Sequence, residues 1–161
     1  TGIEEPLISD REFFGGGFHY INKGGYLNVH VDFNKHPKNK LDRRINIILF
    51  LNKEWKEEWN GDLQLWSTDG SKKVKGVFPR FNRAVIFSTT DFSWHGHPQE
   101  LNTPSDVNRR TLALYYFSDG RPAIELNQEV IGKSTTWKRP ENRKGSLQLR
   151  LKEWLVTLVR K

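Results

Sequence analysis

The sequence contains no cysteine and no methionine. Without thiols there can be neither disulfides nor thiolate metal sites, and the two side chains most easily oxidised are missing. Long apolar runs are missing as well: no stretch approaches the roughly eighteen residues that a membrane span needs. The opening TGIEEPLISD has neither the basic start nor the apolar core of a secretory signal, which sets a cytoplasmic location as the default expectation. With no methionine at its start, the chain reads as a trimmed or processed product. Internal repeats and low-complexity blocks are absent too.

What is present fits one folded domain with a single sizeable core, spanning all 161 residues. Aromatic residues make up 12% of the chain and cluster in apolar runs such as 45–51 and 112–117, which points to a packed, β-rich domain rather than disorder. The formal charge of +7 is uneven. Residues 121–161 carry 10 Lys/Arg against 4 Asp/Glu, whereas residues 1–120 carry 16 against 15. This basic extension reads as a solvated segment, because too few aromatic residues interleave it for a single-strand nucleic-acid binder. An anionic partner is the competing reading.

Short strand-like segments separated by turn signals fill the middle of the chain, at 18–22, 26–33, 44–52, 62–66, 83–88, 93–97 and 109–117. Seven or eight such strands are the pattern of a sandwich, jelly roll or barrel. Before them, residues 6–14 suggest a short N-terminal helix capped by Ser9 and stopped by Gly15, Gly16 and Gly17. After them, Leu147, Leu151, Trp154, Leu155, Leu158 and Val159 recur at helical spacing, which predicts a C-terminal helix packed on the β body.

The chemistry-bearing signal begins with His30-Val31-Asp32. Residues i and i+2 of a strand share a face, so imidazole and carboxylate converge while Val31 points away. A third ligand from another strand would complete the two-histidine, one-carboxylate triad that holds non-haem Fe(II) and leaves coordination positions open. By itself the triplet is weak, since a hydrogen-bonded surface pair looks the same. The segment FSTTDFSWHGHP then offers His95, with His97 two residues on as a rival. Arg109 opens the apolar strand RRTLALYYF. A buried dicarboxylate needs a bidentate cation at its far end, and an arginine at the head of a buried strand is otherwise costly. Arg110 is the alternative; Arg109 shares one face with Thr111, Ala113 and Tyr115. His36 reads as a solvated loop residue and His19 as a packing residue.

In these motifs the chain resembles the Fe(II)/2-oxoglutarate-dependent oxygenases of the prolyl 4-hydroxylase type. It is similar to the oxygen-sensing prolyl hydroxylases and to bacterial relatives with a Gly-Gly-Gly-x-His start. The matching residues run in order from Gly17 to Phe117: Tyr20, His30-Val31-Asp32, Leu51-Asn52-Lys53-Glu54-Trp55, Gly61-Asp62-Leu63, Pro79-Arg80-Phe81-Asn82-Arg83, His95, and Arg109 onwards. The resemblance implies a mainly β double-stranded β-helix, or jelly roll, with its core at about 17–117. It implies Fe(II) on His30, Asp32 and His95, which would be the catalytic centre. It also implies 2-oxoglutarate as co-substrate on Arg109, dioxygen, and ascorbate as a supporting reductant. Tyr20 would line the pocket near the metal-chelating end of the co-substrate, and residues 34–42 would form a mobile loop over substrate.

Two departures stand out. Phe50 occupies a position where the oxygen-sensing enzymes place a tyrosine on the distal carboxylate, and Asn46 on the same strand face is a candidate substitute. The His95-to-Arg109 spacing is long, which implies an extended hairpin around 101–108.

The implied reaction is hydroxylation of a prolyl residue in a peptide or protein, with succinate and CO2 as co-products. The same chemistry on a small metabolite, a glycan or another side chain is the first alternative. A non-catalytic jelly-roll binding module is the second. Nucleic acid is the least favoured partner, resting only on the basic tail.

Overall fold

The computed structural model describes residues 2–126 and 135–138. Among the described residues ten strands occur in this order: β1 (Ile8–Ser9), β2 (Gly17–Ile21), β3 (Leu27–Val31), β4 (Asp42–Phe50), β5 (Leu63–Trp66), β6 (Lys73–Val77), β7 (Arg83–Ser88), β8 (His95–His97), β9 (Arg109–Ser118) and β10 (Thr136–Trp137). They pair antiparallel into two sheets. One runs β1-β9-β4-β7, with β2 also on β9; the other runs β10-β3-β8-β5-β6. The protein is mainly β and jelly-roll-like, as expected.

The strands form where pattern and chemistry agree. β4 is rich in isoleucine, whose branched side chains fit a pleated surface. β9 alternates buried Arg109, Thr111, Ala113, Tyr115 and Phe117 with more exposed neighbours, the period-2 signature of a strand with one face inward. Ala113, Tyr115 and Phe117 make the buried core cluster, and Phe33 and Leu41 pack against it. Strand β6 falls between the segments 62–66 and 83–88 read as strands from sequence; its residues are almost all exposed, so no apolar alternation marks it.

Three expectations need correction. The N-terminal helix is absent. Ile8 and Ser9 instead pair with Phe117 and Tyr116, because β9 offers unpaired backbone groups there. Asp10, not Ser9, then organises the turn: its carboxylate accepts from Glu12 N (2.9 Å) and Phe14 N (2.7 Å). The loop residue His36 is only 2% exposed, held edge-on between Phe14 and Phe117 and facing Asp10. Arg121, at the start of the basic extension, is not solvated either; its Nε reaches Asp42 (3.2 Å) and its NH1 donates to Thr89 O (3.0 Å). The expected C-terminal helix lies outside the described residues.

Arg44 ties the periphery to the body. Its buried guanidinium pairs with Glu5 (2.9 Å) before β1 and with Glu125 (3.2 Å) beyond β9, and donates to Ser118 Oγ (3.0 Å). Removing one member of such a buried network strands the others. Arg44→Ala is therefore expected to cost about 3 kcal/mol in urea unfolding, while Glu5→Gln, more exposed, costs clearly less. Equal losses from the two substitutions would contradict this account.

Candidate metal centre

β3 and β8 are antiparallel neighbours whose register shifts between Leu27 and His30, and His30 lies directly opposite His95. Opposed residues of an antiparallel pair share a face, so the two imidazoles meet with ring centroids 4.4 Å apart. Asp32 follows His30 by two residues and completes the group. One ligand atom from each of His30, Asp32 and His95 lies within 4.8 Å of the others. His30 Nε2 stands 3.5 Å from Asp32 Oδ1, and His95 Nε2 stands 3.4 Å from Asp32 Oδ2.

Each histidine is oriented by its own strand. His30 Nδ1 bonds Asn28 O (2.8 Å) and His95 Nδ1 bonds Ser93 O (2.8 Å). A carbonyl oxygen only accepts, so both hydrogens sit on Nδ1 and both Nε2 lone pairs are free to face Asp32. Two neutral imidazole nitrogens and one carboxylate are a donor set suited to a divalent first-row metal, and bonds from the second ring nitrogen are how proteins aim such ligands. Trp137 on β10 lies against the other side of the His30 ring at 4.7 Å.

The closeness of β3 and β8 depends on Gly96, between the two β8 histidines. A Cβ there would fall 2.7 Å from Asn28 O and 2.8 Å from Leu27 O, so no other residue fits without moving backbone.

Asp32 is held from the opposite sheet. Arg43 NH2 lies 3.1 Å from Asp32 Oδ2, and Asn46 Nδ2 donates to the same oxygen at 2.7 Å. Arg43 is 1% exposed; its Nε donates to Asn46 Oδ1 (2.9 Å), and its guanidinium lies over the Tyr115 ring at 3.5 Å. Burial alone would raise the Asp32 pKa, but the adjacent Arg43 charge outweighs it. The carboxyl sits well below its ordinary value and is ionised.

Of the remaining sequence candidates, Arg109 is buried on the inner face of β9 and Arg110 is exposed. Arg109 Nε donates to Gly61 O (2.8 Å), and its guanidinium lies 5.3 Å from the Phe50 ring centroid. Gly61 takes φ +82°, a conformation that suits glycine, and a Cβ there would crowd Arg109 Cδ at 3.2 Å. Among the described residues no carboxylate is within ion-pair distance of Arg109. Asp62, the acid that acts on it, is bonded to Lys73 (2.9 Å). Burial pushes the guanidinium down to about 10.

Asn46 is on Asp32 rather than beside Arg109, so it does not replace the missing hydroxyl at Phe50. Tyr20 is turned outward, 56% exposed, with Arg110 over its ring. The register explains this: His19 opposes inward-facing Thr111, which puts His19 inside and Tyr20 outside. The sequence reading missed Arg43. Its own argument about Arg109, that a charge at the head of a buried strand needs a reason, applies equally to Arg43 at the head of β4.

Residues 16–119 match the 2OG-Fe(II) oxygenase superfamily, and the chain belongs to that family. The family implies Fe(II), 2-oxoglutarate and dioxygen as cofactor and co-substrates. Among solved structures, the chain is similar to a prolyl 4-hydroxylase from Phytophthora capsici, with 26% identity and a TM-score of 0.49 over 72% of this chain and 38% of that one. A Trichoplax adhaerens prolyl hydroxylase, in complex with a hypoxia inducible factor oxygen degradation domain peptide fragment, is 20% identical, with a TM-score of 0.47 over 63% and 42%. A Pseudomonas putida prolyl-4-hydroxylase is 19% identical, with a TM-score of 0.44 over 65% and 50%. The chain thus spans between 38% and 50% of the length of these structures. No curated protein matches it. Among the described residues no helix is long and apolar enough to cross a membrane.

Burial holds His19, His30 and His97 below the ordinary histidine value of 6.5, and the charge of Arg109 adds to the effect on His97. The unfolded chain binds protons at these positions near pH 6.5 and the folded chain does not. The stability they allow is therefore full above that pH and is lost as pH falls below it. Asp32, depressed below 3.8, adds a separate loss only under more acid conditions. The thermal midpoint of metal-free protein is expected to fall by on the order of 5 °C between about pH 7.5 and about pH 5.5. A flat midpoint across that range would count against three neutral buried histidines.

Proposed function

We propose that the chain is a single Fe(II)- and 2-oxoglutarate-dependent hydroxylase domain, with its core at about 17–117. In this reading His30, Asp32 and His95 hold the iron and Arg109 holds the distal carboxylate of 2-oxoglutarate. The observation that carries it is a pair of features in one interior. A ligand trio is pre-oriented for a metal, and among the described residues a buried guanidinium has no anion of its own. A buried charge without a counter-ion is costly, so Arg109 has a reason to be there only if an anion arrives.

Bound Fe(II) with 2-oxoglutarate supplies the activation of dioxygen that drives hydroxylation, with succinate and CO2 released. The chain supplies the rest. The Nδ1–H bonds to Asn28 and Ser93 keep two imidazole lone pairs aimed inward before any metal arrives. Arg43 and Asn46 occupy Asp32 Oδ2, which leaves Oδ1 the freer oxygen for coordination. The Phe50 ring and Gly61 carbonyl fix Arg109 from two sides, so its remaining N–H groups can address a carboxylate. For the substrate, the order of motifs from Gly17 to Phe117 supports a prolyl residue of a peptide or protein.

His95→Ala should abolish 2-oxoglutarate turnover while the protein stays folded. Asp32→Ala is a poor control, because it leaves Arg43 buried and unpaired. Arg109→Leu is expected to raise the 2-oxoglutarate requirement on the order of ten- to a hundredfold. An unchanged requirement in Arg109→Leu, with a rise in Arg110→Leu, would move the anchor to Arg110. Succinate release measured over a panel of proline-containing peptides and small molecules tests the substrate class. Stimulation by small molecules alone would overturn the prolyl reading.

A further inference from the structure

Among the described residues, His97 is the one interior histidine whose ring nitrogens bond no other residue. It is 2% exposed, and neither Nδ1 nor Nε2 has a partner among the described residues. Native proteins rarely leave a buried polar atom unpaired, and an imidazole with both nitrogens idle calls for an explanation. Packing alone is a weak one, since a leucine would fill comparable space without the desolvation cost. Metal ligation is not the answer either, because the ligand atoms that gather belong to His30, Asp32 and His95.

Its surroundings say what is missing. His97 follows His95 by two residues on β8, so both lie on the same inward face. Like Arg109, His97 is buried in the interior, and the guanidinium's charge is felt at its ring. A guanidinium can only donate, and it has no carboxylate of its own here. The group absent between them must accept from Arg109 and from an imidazole N–H together. A carboxylate does both.

We propose that His97 donates an N–H to the distal carboxylate of 2-oxoglutarate, sharing it with Arg109, and so acts as a second anchor for the co-substrate. This rests on the 2-oxoglutarate reading above. His97 touches the co-substrate but takes no part in electron or proton transfer, so its effect falls on binding.

The test is an anaerobic titration of the Fe(II)-loaded protein, read by the charge-transfer absorption of the chelated 2-oxo acid. Wild type, His97→Leu and His97→Gln are each titrated with 2-oxoglutarate and with 2-oxobutyrate, which chelates alike but lacks the distal carboxylate. Affinity for Mn(II) alone and the thermal midpoint are measured alongside. His97→Leu should raise half-saturation by 2-oxoglutarate about tenfold, the loss of one hydrogen bond to a charged group. It should leave 2-oxobutyrate and Mn(II) binding as in wild type, with a thermal midpoint no lower. His97→Gln, which keeps a donor, should recover much of the loss. Equal half-saturation of wild type and His97→Leu by 2-oxoglutarate overturns the proposal, and so does an equal loss for both 2-oxo acids, which would mark a structural role. No band with wild type would instead sink the underlying co-substrate reading.

Discussion

The ion pair between Arg43 and Asp32 joins the two sheets at the point where the site is built. Asp32 extends from β3 in one sheet and Arg43 from β4 in the other, and both are largely buried. Such a pair contributes little net stability, because desolvation offsets much of the attraction. What it fixes is arrangement. In the observed stacking of the sheets Asp32, Asn46 and Arg43 lie within mutual bonding distance, and the Phe87 ring comes against His95 at 4.9 Å. The carboxylate is ionised and one of its oxygens is occupied in the folded protein, so the ligand field exists before a metal does.

The interior is accordingly polar in a graded way. Around Asp32, the positive charge of Arg43 is matched. Around Arg109 it is not, and the neutral His97 ring does nothing to compensate it. The asymmetry follows from the strands. Arg109 and Thr111 share the inward face of β9 with Tyr115, so one strand carries both the unmatched cation and the aromatic ring that supports the matched one. Among the described residues the interior thus holds one arginine with a carboxylate partner and one without.

Much of this was legible in the sequence, and the failures have physical causes. The shared face of His30 and Asp32 and the inward face of Arg109 beside an exposed Arg110 both follow from period-2 alternation, which a single strand carries within itself. Tyr20 went wrong because its face depends on where β2 joins β9, and three glycines before it erase the count. The N-terminal helix went wrong because residues 8–9 answer to an edge of β9, a partner more than a hundred positions away. His36 looked solvated among prolines and lysines, yet Phe14 and Phe117 enclose it. Local pattern predicts which way a side chain points within a strand; it does not predict which distant element waits on either side.

Gly96 carries a consequence for how this centre can vary over evolutionary time or in the hands of an engineer. Its hydrogen is the only substituent that the Leu27 and Asn28 carbonyls tolerate, and it sits between one prospective iron ligand and one prospective co-substrate anchor. The separation between those two functions is thus set by backbone contact rather than by side-chain choice. Either histidine can change without a backbone clash, at a cost to its own function, whereas the spacer between them is frozen. Variation in substrate preference must therefore enter from the loops around the mouth, leaving the distance from metal to anchor as a fixed ruler against which any acceptable 2-oxo acid is measured.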